Sequence, residues 1–200
     1  MSLPALVWKP SPNFSRRIAR VDLIVLHDCQ GGYAGSISWF GEARSSVSAH
    51  YVVREDGLEA TQMVSLADKA WHAMAFNSRS VGIEMAGYLE NGFSPALLDA
   101  VARICAYLCQ HLQIPIRHAR GGVGPGIESH WGLGPIGGGH SDPSTDPKFI
   151  ETLVAMVAQA TMKNDFPLVW EPRESVKACI LTPPQIVTAK IGRASCRERV

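Results

Sequence analysis

Residues 22–27, DLIVLH, are the stretch on which the fold turns. Four consecutive apolar residues, two of them β-branched, lie between Asp22 and His27, which predicts a short buried strand ending at the histidine. Gly31 and Gly32 follow as a turn. SISWFGEA (36–43) predicts a short helix, with Ser36 as its cap and Trp39 and Phe40 on an apolar face. HYVVRE (50–55), Asp56-Gly57 and LEATQMV (58–64) predict a β-hairpin, because Asp-Gly supplies the backbone conformation that a tight turn needs. SVGIEMAG (80–87) predicts another strand, in which Gly82 lets some neighbour approach the backbone closely.

The clearest helix spans 95–112. Ser94 caps it, Pro95 suits its first position, and Leu97, Leu98, Val101, Ile104, Leu108 and Leu112 recur at spacings of three and four. Asp146-Pro147 repeats that logic for a helix through about residue 162. Between them, 118–145 holds nine glycines and three prolines and is expected to be a long irregular, functional segment. Strands and helices alternate loosely, so the class is α/β with a mixed central β-sheet flanked by helices.

The chain has 200 residues, 46% apolar and 18% charged, which suits one domain with at most a short appendage. No run approaches the roughly 20 apolar residues that span a bilayer, and the start shows no signal-peptide pattern. Neither membrane insertion nor secretion by a leader is therefore expected. A formal charge of +1 lacks the clustered excess of Lys and Arg that nucleic-acid binding requires. Five cysteines are too few and too irregular for a disulfide framework. The last ten residues, IGRASCRERV (191–200), resemble the translation of a sequencing adapter and are read as a scar. Setting them aside takes Lys+Arg from 19 to 16 and Asp+Glu from 18 to 17, so the remainder carries about −1. The expected organisation is a folded domain over 1–163, a proline-bearing linker or truncated extension over 164–190, and the scar.

His27 at a strand end, with His130 and Asp142 in SHWGLGPIGGGHSDP, offers two imidazoles and a carboxylate, a common catalytic zinc set that leaves a fourth position open. Taken in order, LIVLHDCQG, VSAHYVVREDG, ADKAWHA, NSRSVGIEMAG and HWGLGPIGGGHSDP resemble the zinc-dependent N-acetylmuramoyl-L-alanine amidases of the type-2 amidase and peptidoglycan-recognition superfamily. The resemblance covers about residues 5–160. It implies a zinc site at the strand ends in a surface groove, with His27, His130 and Asp142 as ligands and Glu84 as the catalytic acid/base. The family carries a basic residue, usually Lys, two positions before the third ligand to assist the transition state, and here it is His140. An imidazole titrates near neutrality, so that role becomes pH-sensitive. The spacing from His130 to Asp142 is longer than the family's, and His140 and Asp146 stay open as alternative third ligands.

The resemblance further implies that His50, Trp71, His72 and Asn77 contact substrate, although His50 and His72 have a supporting role open to them as well. Cys29 reads as a buried apolar side chain, Cys105 and Cys109 as core, and His111 and His118 as surface. The implied reaction is zinc-dependent hydrolysis of the amide between N-acetylmuramic acid and L-alanine, with peptidoglycan or muropeptides as partner and Zn2+ as cofactor. Without a leader, the expected setting is synthesis in the cytoplasm and action on the cell wall after release, as in a phage endolysin. A cytoplasmic recycling amidase would run the same chemistry on anhydromuropeptides. The alternative from another class is a recognition module that binds without cutting. Such relatives typically lose a zinc ligand, whereas this chain retains a full candidate set and Glu84.

Overall fold

The computed structural model describes residues 3–163; the expectations for 164–190 and 191–200 lie outside the described residues. In chain order the elements are β1 (Ala5–Trp8), β2 (Phe14–Arg16), β3 (Leu23–Asp28), α1 (Tyr33–Phe40), β4 (Tyr51–Val53), β5 (Glu59–Gln62), β6 (Asp68–Ala70), β7 (Ser80–Met85), α2 (Pro95–Leu112), β8 (Gly126–Ser129) and α3 (Pro147–Lys163). Short 3₁₀ turns join several of them. A six-stranded sheet runs β1-β5-β4-β7-β3-β8, and β2 pairs with β6 in a separate ribbon. β3 is parallel to both its neighbours, β4 is parallel to β7, and the hairpin partner β5 is antiparallel to β4. The sheet is therefore mixed, as the class predicted from sequence requires.

Strand parity divides the core. Ile24 and Leu26 of β3, with Val81, Ile83 and Met85 of β7, join the main cluster built with α2 and α3. Leu23 and Val25 point to the other face, against Ala73, Ala119 and Leu133. Successive residues alternate faces, so His27 shares the face of Leu23 and Val25. The register pairs His27 with Glu84, which puts both on that face at the carboxyl ends of neighbouring parallel strands. Ligands bind in this position in many open α/β sheets.

α2 has the bounds its periodicity predicts, with the Ser94 hydroxyl accepting from the Leu97 N–H at 3.1 Å. α3 begins at Pro147, where the Asp146 carboxylate accepts from the Lys148 N–H at 2.9 Å. Two expectations need correcting. The first helix starts at Tyr33 after Gly32, and Ser36 lies inside it, donating its hydroxyl to the Gly32 carbonyl at 3.1 Å. Its first turn is satisfied from a distance, by Glu55 of the hairpin accepting from the Tyr33 N–H at 3.0 Å. Segment 118–145 is also not wholly irregular, since β8 lies within it and pairs with β3 from Gly126 to Ser129. No helix among the described residues is long and apolar enough to cross a membrane.

Candidate active site

β3 delivers His27, the end of β8 delivers His130, and the following loop returns to deliver Asp142. The His130 N–H donates to the Leu26 carbonyl at 3.0 Å and the Trp131 N–H to the Asp142 carbonyl at 2.8 Å, so backbone bonds fix both later residues to the strand that carries the first. All three are buried, at 2%, 4% and 6% exposure. His27 Nδ1 lies 3.0 Å from His130 Nδ1 and 3.2 Å from Asp142 Oδ2, and His130 Nδ1 lies 3.1 Å from Asp142 Oδ1.

These separations test the site against a metal. Tetrahedral zinc with ligand bonds of about 2.0–2.1 Å sets its donor atoms roughly 3.3 Å apart, close to the edges found here. The proton inventory agrees. His130 Nε2 donates to the Gly137 carbonyl at 2.8 Å, which in a neutral imidazole leaves the Nδ1 lone pair facing inward. Burial pulls the pKa of His27 down from 6.5 to about 4 against the opposing pull of Asp142, so it is a neutral imidazole at pH 7. Burial works to raise Asp142, but its contacts with His130 and His27 outweigh that and hold it below the usual carboxylate range. Two imidazoles and one carboxylate fit a divalent cation of zinc type.

Glu84 sits beside this set with 7% exposure, and its Oε2 has no hydrogen-bond partner. Burial, then the nearby carboxylates of Asp142 and Asp28, push its pKa well above the ordinary glutamate value. A carboxyl group whose proton affinity is raised in this way can both take and return a proton. Cys29 donates its thiol toward Glu84, burial pushes that thiol's pKa up, and its sulfur is not part of the converging donor set. His140 stacks on His130 with centroids 4.3 Å apart and planes 18° apart. Its side chain is 59% exposed and its Nδ1 lies 3.8 Å from Asp142 Oδ1, so it stands at the rim and outside the donor set. Asp146 is exposed and caps α3, which also leaves it outside that set. Of the three open candidates, Asp142 is the one whose oxygens converge with the two histidines.

A groove of about 440 Å³ opens over these residues, with Trp39, Trp71, Asn77 and His140 among its walls. Trp71 is held there by its indole N–H, which donates to Ser15 Oγ at 3.1 Å. Asn77 lines the groove too, but its carbonyl oxygen is used within the chain, accepting from the N–H groups of His72 and Ala73. His72 borders the groove with both ring nitrogens already engaged, by His27 and by Ser80. His50 is placed elsewhere. It is fully buried, accepts from the Gly82 N–H at 3.0 Å and contacts the Arg17 guanidinium, so the structure gives it the supporting place and does not bring it to the groove. Cys105 and Cys109 are buried core residues of α2.

Sequence reasoning overlooked Asp28, which is 6% exposed, lines the groove and has an unpartnered Oδ2. A carboxylate directly after the strand-end histidine was the available signal. It also placed His118 at the surface, whereas this side chain is partly buried and donates to Glu128. The signal there was Glu128 itself, a carboxylate next to Ile127.

A family profile described as N-acetylmuramoyl-L-alanine amidase matches residues 17–149. The chain is 37% identical over 107 residues to N-acetylmuramoyl-L-alanine amidase A of Achromobacter lyticus, an overlap that covers 52% of this chain and 60% of that one. The match thus spans little more than half of that relative. The fold is similar to that of the Staphylococcus aureus hydrolase AmiA, solved with its ligand, at a TM-score of 0.67 and 16% identity over 81% of this chain and 85% of that one. It is also similar to a mutant endolysin from Bacillus subtilis, at a TM-score of 0.61 and 17% identity over 78% and 99% of the two chains.

Proposed function

The chain belongs to the N-acetylmuramoyl-L-alanine amidase family, and from that premise we propose that it hydrolyses the amide between the lactyl carbonyl of N-acetylmuramic acid and the L-alanine of the peptidoglycan stem peptide. The observation that carries the reading is one convergence: three metal-type donor atoms meeting at 3.0–3.2 Å beside a buried glutamate with a free oxygen. His27, His130 and Asp142 are the proposed zinc ligands. Zinc held there supplies a Lewis acid and makes water acidic enough to attack at neutral pH.

The chain's own groups supply the rest. Glu84 Oε2 accepts the proton of the attacking water and returns it to the leaving amine of L-alanine, so each turnover leaves the carboxylate as it began. His140, at the rim, donates a hydrogen bond to the oxygen on which charge develops. Trp71 and Asn77 line the groove in which the stem peptide would lie.

The test is to incubate zinc-loaded protein separately with purified cell-wall polymer and with soluble muropeptides, and to identify products by mass spectrometry alongside metal content. New L-alanyl amino termini are expected together with about one zinc per chain. The pair of substrates separates wall lysis of the endolysin kind from recycling of soluble fragments. Loaded protein that binds muropeptides while releasing no amino termini would be a recognition module, and the amidase proposal would fall. For the third ligand, zinc content should drop in Asp142→Ala and persist in His140→Ala and Asp146→Ala.

A further inference from the structure

One face of β7 carries two residues that act on His27 through a neighbouring ring. Ser80, Gly82 and Glu84 alternate onto the face that His27 occupies. Glu84 is the proposed acid/base. The other two build a seat for His72. A Cβ at position 82 would lie 2.7 Å from Cγ and Nδ1 of the His72 imidazole, closer than real Cβ contacts occur. Gly82 is therefore the space in which this ring fits, and the close neighbour that the sequence predicted for it is His72. From the other side, Asn77 Oδ1 accepts from the N–H groups of His72 and Ala73 at 3.0 and 2.6 Å, fixing the backbone that carries the ring.

The seated ring is wired by hydrogen bonds whose direction can be read. The Phe76 carbonyl can only accept, and it takes the Ser80 hydroxyl proton at 2.8 Å. Ser80 Oγ is then an acceptor toward His72 Nε2 at 3.2 Å, so the His72 proton sits on Nε2. His72 Nδ1 is left with a lone pair, and it faces His27 Nε2 at 2.9 Å, the two rings meeting edge to face at 86°. That contact calls for the His27 proton on Nε2, while His27 Nδ1 faces His130 Nδ1 at 3.0 Å and Asp142 Oδ2 at 3.2 Å, a set of three acceptors that a cation held among them would satisfy.

We propose that His72 is a positioning residue: the relay Phe76–Ser80–His72 fixes the proton of His27 on Nε2 and thereby presents His27 Nδ1 to the metal. The proposal rests on the reading of His27 as a ligand and extends it to how that ligand is aimed. Outer-shell partners of ligating histidines commonly change metal affinity by about 10- to 100-fold. A ring that served only to fill space would have no such effect once another side chain of similar bulk replaced it.

Two measurements decide it. The first reads the nitrogen shifts of His27 in the zinc-loaded full chain at pH 7.5, where Nε2 should carry the proton. The second measures zinc Kd by competition with a chelator. His72→Leu, which keeps bulk without an acceptor, should weaken zinc about 10- to 100-fold. His72→Asn, whose Oδ1 replaces the accepting Nδ1, should stay within about threefold of the parent, and Ser80→Ala should fall between them. A proton on His27 Nδ1 in the zinc-loaded parent, an unchanged Kd in His72→Leu, or equal losses in His72→Leu and His72→Asn would each overturn the relay. A parent that takes up no zinc sinks the metal reading on which the relay rests, whereas a parent that takes up zinc beside an unchanged Kd in His72→Leu sinks the relay alone.

Discussion

Two buried glutamates flank β3, one on each neighbouring strand, and they show opposite uses of the same side chain. Glu128 on β8 is 1% exposed and its carboxylate is saturated: it accepts from the Ser129 N–H at 2.8 Å, the Gly121 N–H at 2.9 Å and His118 Nε2 at 3.1 Å. A Cβ at position 132 would lie 2.3 Å from Glu128 Oε1, so Gly132 leaves the room that this carboxylate fills. Glu84 on β7 is buried nearly as deeply but keeps Oε2 without a partner, facing the groove. A buried carboxylate whose lone pairs are all used holds a loop in place. One with a free oxygen beside three converging donor atoms stores the capacity to move a proton. The difference lies in what surrounds each glutamate and not in how deep it sits.

Breaking the open cluster outright should have the largest effect. His27→Ala removes one of three donors, so zinc content by elemental analysis should fall to near zero and amide cleavage below detection, because two ligands hold the ion poorly. Retention of stoichiometric zinc would dissolve the cluster as a metal site.

The same substitution at the two glutamates gives the sharpest contrast. Glu84→Gln should lower kcat by about 10²- to 10⁴-fold, the usual contribution of a general acid/base, while zinc content stays at the parent level and thermal stability does not fall. Glu128→Gln places an amide donor against N–H donors and should cost about 1–3 kcal/mol of stability, measured by urea unfolding, with turnover per folded molecule within about threefold. If the two variants exchanged phenotypes, the distinction drawn between saturated and open carboxylates would be wrong.

The last effect concerns pH and is absent at neutrality. Burial first, then the Arg17 charge, lowers the pKa of His50 from 6.5 to about 3. Between those values the unfolded chain binds a proton that the folded chain refuses. Stability is therefore fully present above about pH 6.5 and is lost as pH falls toward 3, by about 1.4 kcal/mol per pH unit for this group. Urea midpoints for the parent and His50→Gln at pH 7.5, 5.5 and 4.5 should show a shallower decline in the variant. Parallel declines would remove His50 from the acid response.

Legibility varied with the range of the forces involved. α2 and α3 were readable to within a residue or two because their caps and periodic apolar residues act within a turn of the chain. The start of α1 was misread because the group that satisfies its first turn, Glu55, comes from the hairpin. β8 was missed because GIES has one large apolar residue. It becomes a strand through pairing with β3, where Ile127 lies opposite Ile24 and completes the helix-side core. At the site, the residue types were visible as motifs. The choice among Asp142, His140 and Asp146 was not, since each is a plausible donor next to glycines and a proline.

By itself the sequence determined the α/β class, the two long helices, the hairpin, and the set of histidines and carboxylates from which a zinc-type centre could be built. Those follow from periodicity, capping and composition, which are local. Tertiary structure alone decided which lone pairs converge, that His50 supports and does not line the groove, that Glu128 is closed where Glu84 is open, and that the space above Gly82 belongs to His72. The physical reason is that a donor atom acquires a role only when strand register and loop return set its distance and its proton relative to the others. That relation links residues more than a hundred positions apart and is written in no single segment.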